Sequence, residues 1–406
     1  MTTIQRWWTP DLVSDVIQSI IAREWAHLRP GEPVPTLMRT PINDLSFGAD
    51  GLGADSLEIV QLATAVSTFF QMQHAGIDDY LLMRRTLHEW TDIVCQSLQQ
   101  HDLTIGFRSS GSTGEAKLSV HSIEFLQQEI AYWSELLRDS DRIVGVVPRH
   151  HIYGFIFTVL LPRALSVEFI DASGRTPNAV ARELTNRSVL IAYPDYWQIV
   201  DKAEPNFPEG VIGISSTAPC PDWLADSLVP KALGKLYQIY GSTETAGIGW
   251  RDSSSASYSL LPMWTRIGPR ELQCRGDAGA FSLQDNLVWT DEEHFEINGR
   301  HDNAVQIGGM NVYPERIANT LKRLPYINDV AVRPMQQHEG SRLKAFIVPH
   351  ESQNDMNQLR TKIARYIDES LSAVERPRSI TFGTQLPMNE LGKPADWQID
   401  QGGIYE

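Results

Sequence analysis

Short apolar runs at residues 103–107, 143–147, 167–170, 189–192, 211–215 and 236–239 recur along the middle of the chain, with helical stretches such as 123–137 between some of them. Runs of this length read as strands, and strands that alternate with helices build a mostly parallel α/β sheet. Residues 281–298 read as shorter antiparallel strands. From about Gly299 the pattern becomes strand, helix (314–321), two strands (330–334 and 345–348), helix (357–371) and strand (379–382), a small α+β domain. Residues 10–99 are helical in pattern. Pro10 opens a stretch with Leu12, Val13, Val16, Ile17, Ile20 and Ile21 on one face, a Pro- and Gly-rich loop spans 30–53, and Asp55 starts an amphipathic stretch through Leu57, Val60, Leu62 and Ala63. The expected class is an α/β large domain (mostly parallel sheet plus short antiparallel strands), a small C-terminal α+β domain and an N-terminal helical bundle, with boundaries at 1–101, 102–300 and 301–406.

The net charge of −15 argues against nucleic acid as a general partner, because a duplex binder needs a basic face to displace counterions. It leaves nucleotide binding open, since backbone N–H groups and one or two cations suffice for that. Cys95, Cys220 and Cys274 are widely spread and form neither a disulfide framework nor a zinc pattern. The N-terminal residues lack the basic flank and apolar stretch of a signal peptide, and no run is long and apolar enough to span a membrane. A cytoplasmic location is expected.

Directly after the first predicted strand comes Ser109-Ser110-Gly111-Ser112-Thr113-Gly114-Glu115-Ala116-Lys117. Glycines let several N–H groups converge on one anion, the hydroxyls add donors, and Lys117 adds charge. This chemistry suits a phosphate chain, but no Gly-Lys-Ser/Thr ends the loop, so it is not a Walker A motif.

The loop resembles the phosphate-binding signature of the adenylate-forming superfamily of acyl-CoA synthetases, peptide-synthetase adenylation domains and luciferases, with Ala116 at the usual proline position. Further elements follow in that family's order. Pro148-Arg-His-His-Ile-Tyr-Gly154 is similar to its His-x-x-Gly element and places His151 near the acyl pocket. Ser215-Ser216-Thr217-Ala218-Pro219 looks like its small-residue loop beside adenine. Tyr240-Gly241-Ser-Thr243-Glu244-Thr245 closely matches Tyr-Gly-x-Thr-Glu. That match implies Tyr240 stacked on adenine, Thr243 on a phosphate oxygen and Glu244 as the Mg²⁺ ligand. Glu271-Leu-Gln-Cys-Arg-Gly276 resembles the family's Gly-Glu-Leu-x-x-Arg-Gly strand and turn, and register from Gly299 places Asp285 on the ribose hydroxyls although the usual Thr-Gly before it is lost. Arg300 is expected to bond the ribose, Asp302 to act as the hinge, and Lys393, in a Pro-x-x-x-x-Gly-Lys-like stretch, to neutralise charge as the carboxylate attacks the α-phosphate. Gln306 and Arg316 replace the family's usual lysine and glutamate.

The resemblance implies ATP-dependent adenylation of an aryl or acyl carboxylic acid, with Mg²⁺, and transfer of the acyl group to a pantetheine thiol. Family members carry far more chain ahead of the phosphate loop. Here Gly51-Leu-Gly-Ala-Asp-Ser56-Leu57 instead resembles the attachment site of acyl carrier proteins, where the serine bears 4′-phosphopantetheine. The acceptor is then CoA or an arm on Ser56, carrier proteins or other biosynthetic enzymes are possible partners, and secondary metabolism is a natural setting. Two rivals stand: a non-catalytic carrier or scaffold that keeps an AMP-binding fold, and an enzyme that hands its acyl-AMP to another protein.

Overall fold

The computed structural model describes residues 6–29, 45–48, 50–109, 117–275, 279–300, 304–336, 339–350, 356–387 and 395–399. The chain divides into two units. The first comprises 1–109, 116–281 and 289–296, and the second 110–115, 282–288 and 297–406. The first unit thus takes in residues that the sequence reading assigns to two domains, 1–101 and 102–300.

Helix α1 (Pro10–Leu28) starts where the sequence indicates, with Thr9 accepting a hydrogen bond from the N–H of Leu12 and Pro10 in the first turn, where no amide is needed. Helix α2 (Ser56–Phe70) begins at a capping box. The Asp55 carboxylate accepts from the N–H groups of Leu57 and Glu58, and Glu58 returns the bond to the Asp55 N–H. Of the residues read as its apolar face, Leu62 and Ala63 are buried and Leu57 and Val60 are exposed, with Ile59 and Val66 buried as well. Thr86 and Glu89 form a second capping box at the start of α3 (Leu87–Gln100). The three helices pack on one another, and α2 packs on strand β1 (Thr104–Ser109).

Strand β1 does not join the parallel sheet. It pairs antiparallel with β2 (Lys117–Ser122), from Thr104↔Ser122 to Ser109↔Lys117. The loop between them is too short for the crossover that a parallel pair requires. After helix α4 (Ile123–Leu136) the main sheet is built from β3 (Arg142–Gly145), β4 (Glu168–Asp171), β5 (Ser188–Ala192), β6 (Ile212–Ser215), β7 (Lys235–Ser242), β8 (Ala246–Arg251) and β9 (Tyr258–Leu260), in the order β9-β8-β7-β6-β5-β3-β4. Strands β3 to β7 are parallel, and β8 and β9 run antiparallel. Every residue of β5 is buried, as expected of a central parallel strand covered on both faces. One face carries Trp197, Val200, Leu224 and Leu228 from helices Pro194–Ala203 and Asp222–Lys231. An aromatic cluster of Trp133, Phe157, Tyr237 and Trp250, with ring centroids 5.4–6.3 Å apart, lies around α4.

The second unit holds a three-stranded sheet in which Leu343–Pro349 pairs antiparallel with Ile327–Pro334 and parallel with Ser379–Phe382. Helices Pro314–Lys322 and Met356–Ser370 supply Ile317, Leu321, Leu359 and Ile363 to its core. Ahead of it, strands Val305–Ile307 and Met310–Val312 form a hairpin turned by Gly308 (φ 56°) and Gly309 (φ 76°). Glycine suits both positions because the tight hairpin turn needs left-handed backbone. Arg316, at the position where the family usually has a glutamate, pairs with Glu375.

Candidate active site at the carboxyl ends of the parallel strands

In open α/β sheets, ligands bind outside the carboxyl ends of the strands. Three of the segments singled out in the sequence sit there. β6 ends at Ser215 beside Gln238 of β7, and the Ser216 hydroxyl donates to the carbonyl of Ile239 at 3.1 Å. Thr217, exposed, holds φ at 78°. A β-branched residue in left-handed backbone costs roughly 1–3 kcal/mol, and such strain clusters at ligand sites. Ala218 is half-buried.

Tyr240 and Gly241 close strand β7, and Thr243, Glu244 and Thr245 make the turn into β8. Gly241 is required by contact: a Cβ there would lie 2.1 Å from the carbonyl oxygen of Ala246. The Ser242 hydroxyl accepts from the N–H groups of Glu244 and Thr245, which fixes the turn. Tyr240 is half-buried, edge-on to Phe295 and Tyr258. The Glu244 carboxylate has no hydrogen-bond or ion-pair partner among the described residues, and Lys117 stands at the first pair of the β1–β2 hairpin, opposite Ser109.

His151 follows β3 and precedes a short buried helix, Ile152–Phe155. Gly154 packs so closely that a Cβ would meet the Pro148 carbonyl oxygen at 1.9 Å, which explains the His-x-x-Gly spacing. The surrounding protein, and then the Arg23 charge, pull the His151 pKa down to about 4, so the ring is neutral at pH 7. The residue nevertheless stays exposed to solvent. The apolar stretch 152–161 is buried throughout.

The chain matches the model "AMP-binding enzyme" over residues 54–267 and "AMP-binding enzyme C-terminal domain" over 316–393. The chain belongs to the AMP-binding enzymes. It is 36% identical to a 4-coumarate–CoA ligase of Halorhodospira halophila over 94% of this chain and 98% of that protein, and 34% identical to one of Rhodobacter capsulatus over 87% and 92%. In fold it is similar to an o-succinylbenzoate CoA synthetase from Bacillus subtilis, with a TM-score of 0.59 at 16% identity over 94% of this chain and 91% of that one.

In this AMP-binding enzyme, other expected residues lie on the second unit or outside the described residues. Asp285 begins strand Asp285–Trp289 and is half-buried. Ser110, Gly111, Ser112, Thr113, Gly114, Asp302 and Lys393 lie outside the described residues, and Ser109 and Arg300 are described in their backbone alone.

Sequence reasoning missed three residues that hold the site together. His121 of β2 donates through Nε2 to the carbonyl oxygen of Thr243 at 2.7 Å. Glu129 of α4, fully buried, accepts from the Gly247 N–H at 2.8 Å and from Trp133 Nε1 at 3.2 Å. The Tyr153 hydroxyl bonds the carbonyl oxygens of Ala192 and Ile214 at 3.0 and 2.9 Å, tying the His151 turn to the ends of β5 and β6. The hydroxyl of Tyr153 inside the apolar stretch 152–161 is a signal that could have found it, whereas Glu129 stands beside Gln127 and Gln128 and carries none.

The N-terminal helices share the same core. Ser19 of α1 bonds His150 Nδ1 at 2.8 Å, Asp15 pairs with Arg149 at 2.9 Å, and Phe69 of α2 packs on Phe107 and Phe155. Among the described residues no group of three or more His, Cys, Asp and Glu could cage a metal, and no helix is long and apolar enough to cross a membrane.

Proposed function

We propose that this AMP-binding enzyme is an acid–thiol ligase that activates a 4-hydroxycinnamate-type aryl acid with ATP and passes it to CoA. The observation that carries the reading is the 36% identity to a 4-coumarate–CoA ligase along nearly the whole of both chains.

In the first step a carboxylate oxygen of the acid attacks the α-phosphorus of ATP, the bond to the β-phosphate breaks, and pyrophosphate leaves. Every reacting group is anionic, so the task is alignment and neutralisation. The loop 109–117 offers N–H and hydroxyl donors to the phosphates, and Lys117 and Lys393 offer charge. Thr243 is assigned as a donor to a phosphate oxygen. The Glu244 carboxylate, without a partner among the described residues, fits a hard cation, and together with phosphate oxygens it would hold Mg²⁺, which spreads phosphate charge when bound. Tyr240 and the small-residue loop 215–219 offer a flat lodging for adenine, and Asp285 and Arg300 are assigned to the ribose. In the second step the thiol sulfur attacks the acyl carbon and AMP leaves with the electron pair. Neutral His151 is assigned to the acyl pocket, and Asp302 is assigned as the hinge between the steps.

The thiol is assigned to CoA. An arm on Ser56 is the alternative acceptor, favoured by the exposure of that residue in the first turn of α2. Against it, α1 and α2 pack into the large unit's core, and Asp55 and Glu58 are accounted for as a cap. Three buried cysteines, none of them in a disulfide, fit a reducing cytoplasm.

The test is ATP–pyrophosphate exchange against a panel of aryl and aliphatic acids, followed by thioester formation with CoA. 4-Coumarate is expected to give the largest signal, with a CoA thioester as product and no mass shift on the protein after incubation with a phosphopantetheinyl transferase and CoA. Exchange with aliphatic acids alone would refute the aryl assignment, and acyl transfer only to a modified Ser56 would refute the CoA assignment.

A further inference from the structure

Helices α1 and α2, strand β1 and the turn after β3 meet around a narrow recess inside the first unit. Arg23 and Glu24 of α1, Thr68 of α2, Arg108 of β1 and His150 line it. The recess holds about 20 Å³, room for one water-sized group. Helix α1 belongs to the N-terminal part in which this chain departs from its family, so Arg23 and Glu24 lie outside the shared signatures.

The polar groups around the recess satisfy one another only in part. His150 is 6% exposed, and its Nδ1 lies 2.8 Å from the Ser19 hydroxyl. Its Nε2 is buried and has no hydrogen-bond partner among the described residues. Buried polar atoms almost always pair with protein or with water, so an open one needs a reason. The Arg23 Nε stands 3.7 Å from Glu24 Oε1, beyond hydrogen-bond reach. Arg108 Nη2 donates to Thr68 Oγ1 at 3.4 Å, a long bond. Burial, foremost, holds the Arg23 pKa below its ordinary value. Glu24 opposes that shift, and the like charge of Arg108 adds to it.

What fits the recess follows from these groups. His150 is neutral at pH 7, because burial, foremost, keeps its pKa well below the ordinary value. A guanidinium only donates and a carboxylate only accepts, and the His150 Nε2 does one or the other according to its tautomer. A hydroxyl both donates and accepts, so it suits all three, and it is the size of the space. A ring hydrogen bonds none of them. A methoxy group is larger and has no proton to give Glu24. The His150 ring lies 4.7 Å, centroid to centroid, from that of His151, the residue assigned to the acyl pocket.

We infer that the recess receives the para-hydroxyl of the aryl acid, and that Arg23, Glu24 and His150 make the enzyme select a hydroxylated ring. The inference rests on the proposed activation of a 4-hydroxycinnamate-type acid and on His151 at its acyl pocket. A ring without the hydroxyl leaves buried groups of the recess unpaired. That is the situation in which enzymes reject a substrate analogue most strongly.

The experiment measures kcat/KM in acid-dependent ATP–pyrophosphate exchange on the full chain. The acids are 4-coumarate, cinnamate and 4-methoxycinnamate. The proteins are wild type, Arg23→Met, Arg23→Lys and Arg108→Gln, each checked for folding by its thermal midpoint. Wild type is expected to prefer 4-coumarate over both other acids by about a hundredfold or more. Arg23→Met is expected to cut that preference by about tenfold or more, because activity with 4-coumarate falls further than activity with cinnamate. Arg23→Lys, which keeps a charge and donors, is expected to retain part of the preference. Arg108→Gln reads the same recess should Arg23→Met fail to fold, with a smaller fall in the same direction. Equal loss with 4-coumarate and cinnamate in the variants that fold would mean that the recess is structural or holds only a water, and would overturn the inference. So would a wild type that uses 4-coumarate and cinnamate equally well. If wild type activates neither of these acids but does activate others, the aryl-acid reading has failed and the inference falls with it.

Discussion

The Nε2–H of His121 donates a 2.7 Å hydrogen bond to the carbonyl oxygen of Thr243. The two residues are 122 positions apart, one on the strand that leaves the hydroxyl-rich loop and the other in the turn of the Tyr-Gly-x-Thr-Glu signature. The bond fixes the tautomer, because a carbonyl can only accept. Burial, foremost, lowers the pKa of His121, so the ring is neutral at pH 7 and the bond is between uncharged groups.

Replacing His121 by Leu removes the donor and leaves the Thr243 carbonyl without it. Losing one partner of a buried bond costs about 1–3 kcal/mol. The expected outcome is a fall in ATP–pyrophosphate exchange of about tenfold, with a raised KM for ATP, since the Thr243–Glu244 turn shifts against the phosphates. His121→Gln, which can still donate, is expected to recover part of the activity. Equal behaviour of the two variants would show that the bond does not position the turn.

Glu129 carries a pH dependence. Burial raises its pKa to about 7, against the lowering effect of the bonds from Gly247 and Trp133. A carboxyl with a raised folded-state pKa binds more protons folded than unfolded. Its contribution is fully present below the ordinary carboxyl pKa and is lost as pH rises through about 7. The whole effect is at most about 3 kcal/mol. Urea midpoints of wild type between pH 5 and pH 8 are expected to fall relative to those of Glu129→Gln, and parallel curves for the two proteins would disprove the shift.

Gly154→Ala is expected to damage both stability and the site. Its Cβ would press on the Pro148 carbonyl, which is backbone and cannot rotate away. Overpacking of this kind costs about 1–3 kcal/mol or more. The displaced turn is the one that holds His151, so a lower thermal midpoint is expected together with a raised KM for the acid. An unchanged acid KM in a destabilised variant would separate the turn from the acyl site.

Glu244→Gln keeps the shape of the turn and removes the charge. If Glu244 holds the metal, the Mg²⁺ concentration for half-maximal exchange rises by about tenfold or more, while far-UV circular dichroism and thermal midpoint stay near wild type. A normal Mg²⁺ requirement would move the metal ligand elsewhere.

Local order was legible in the residues themselves. Pro10, Asp55 with Glu58, and Thr86 with Glu89 mark helix starts, because caps are made by neighbours in the chain. The apolar runs at 143–147, 189–192 and 211–215 were read as parallel strands because both faces of such strands are covered. The signature residues Tyr240, Gly241, Thr243 and Glu244 were found by their resemblance to the family's motif, which is legible because one turn of chain holds all of them. The run at 103–107 was placed in the wrong sheet, because hydrogen-bond partners are not written in a strand's own apolarity.

Partners distant in the chain were decided only by the tertiary structure. Nothing in the sequence around His121 names Thr243, nothing near Glu129 names Gly247, and nothing in the stretch 343–349 says that Lys344 holds Asp396. Periodicity reports which side of an element is apolar, and motifs report which chemistry is carried. Neither reports which buried polar group meets which, and that is settled by burial itself. Once water is excluded, each donor, acceptor and charge must find its partner wherever the packed chain brings one within reach.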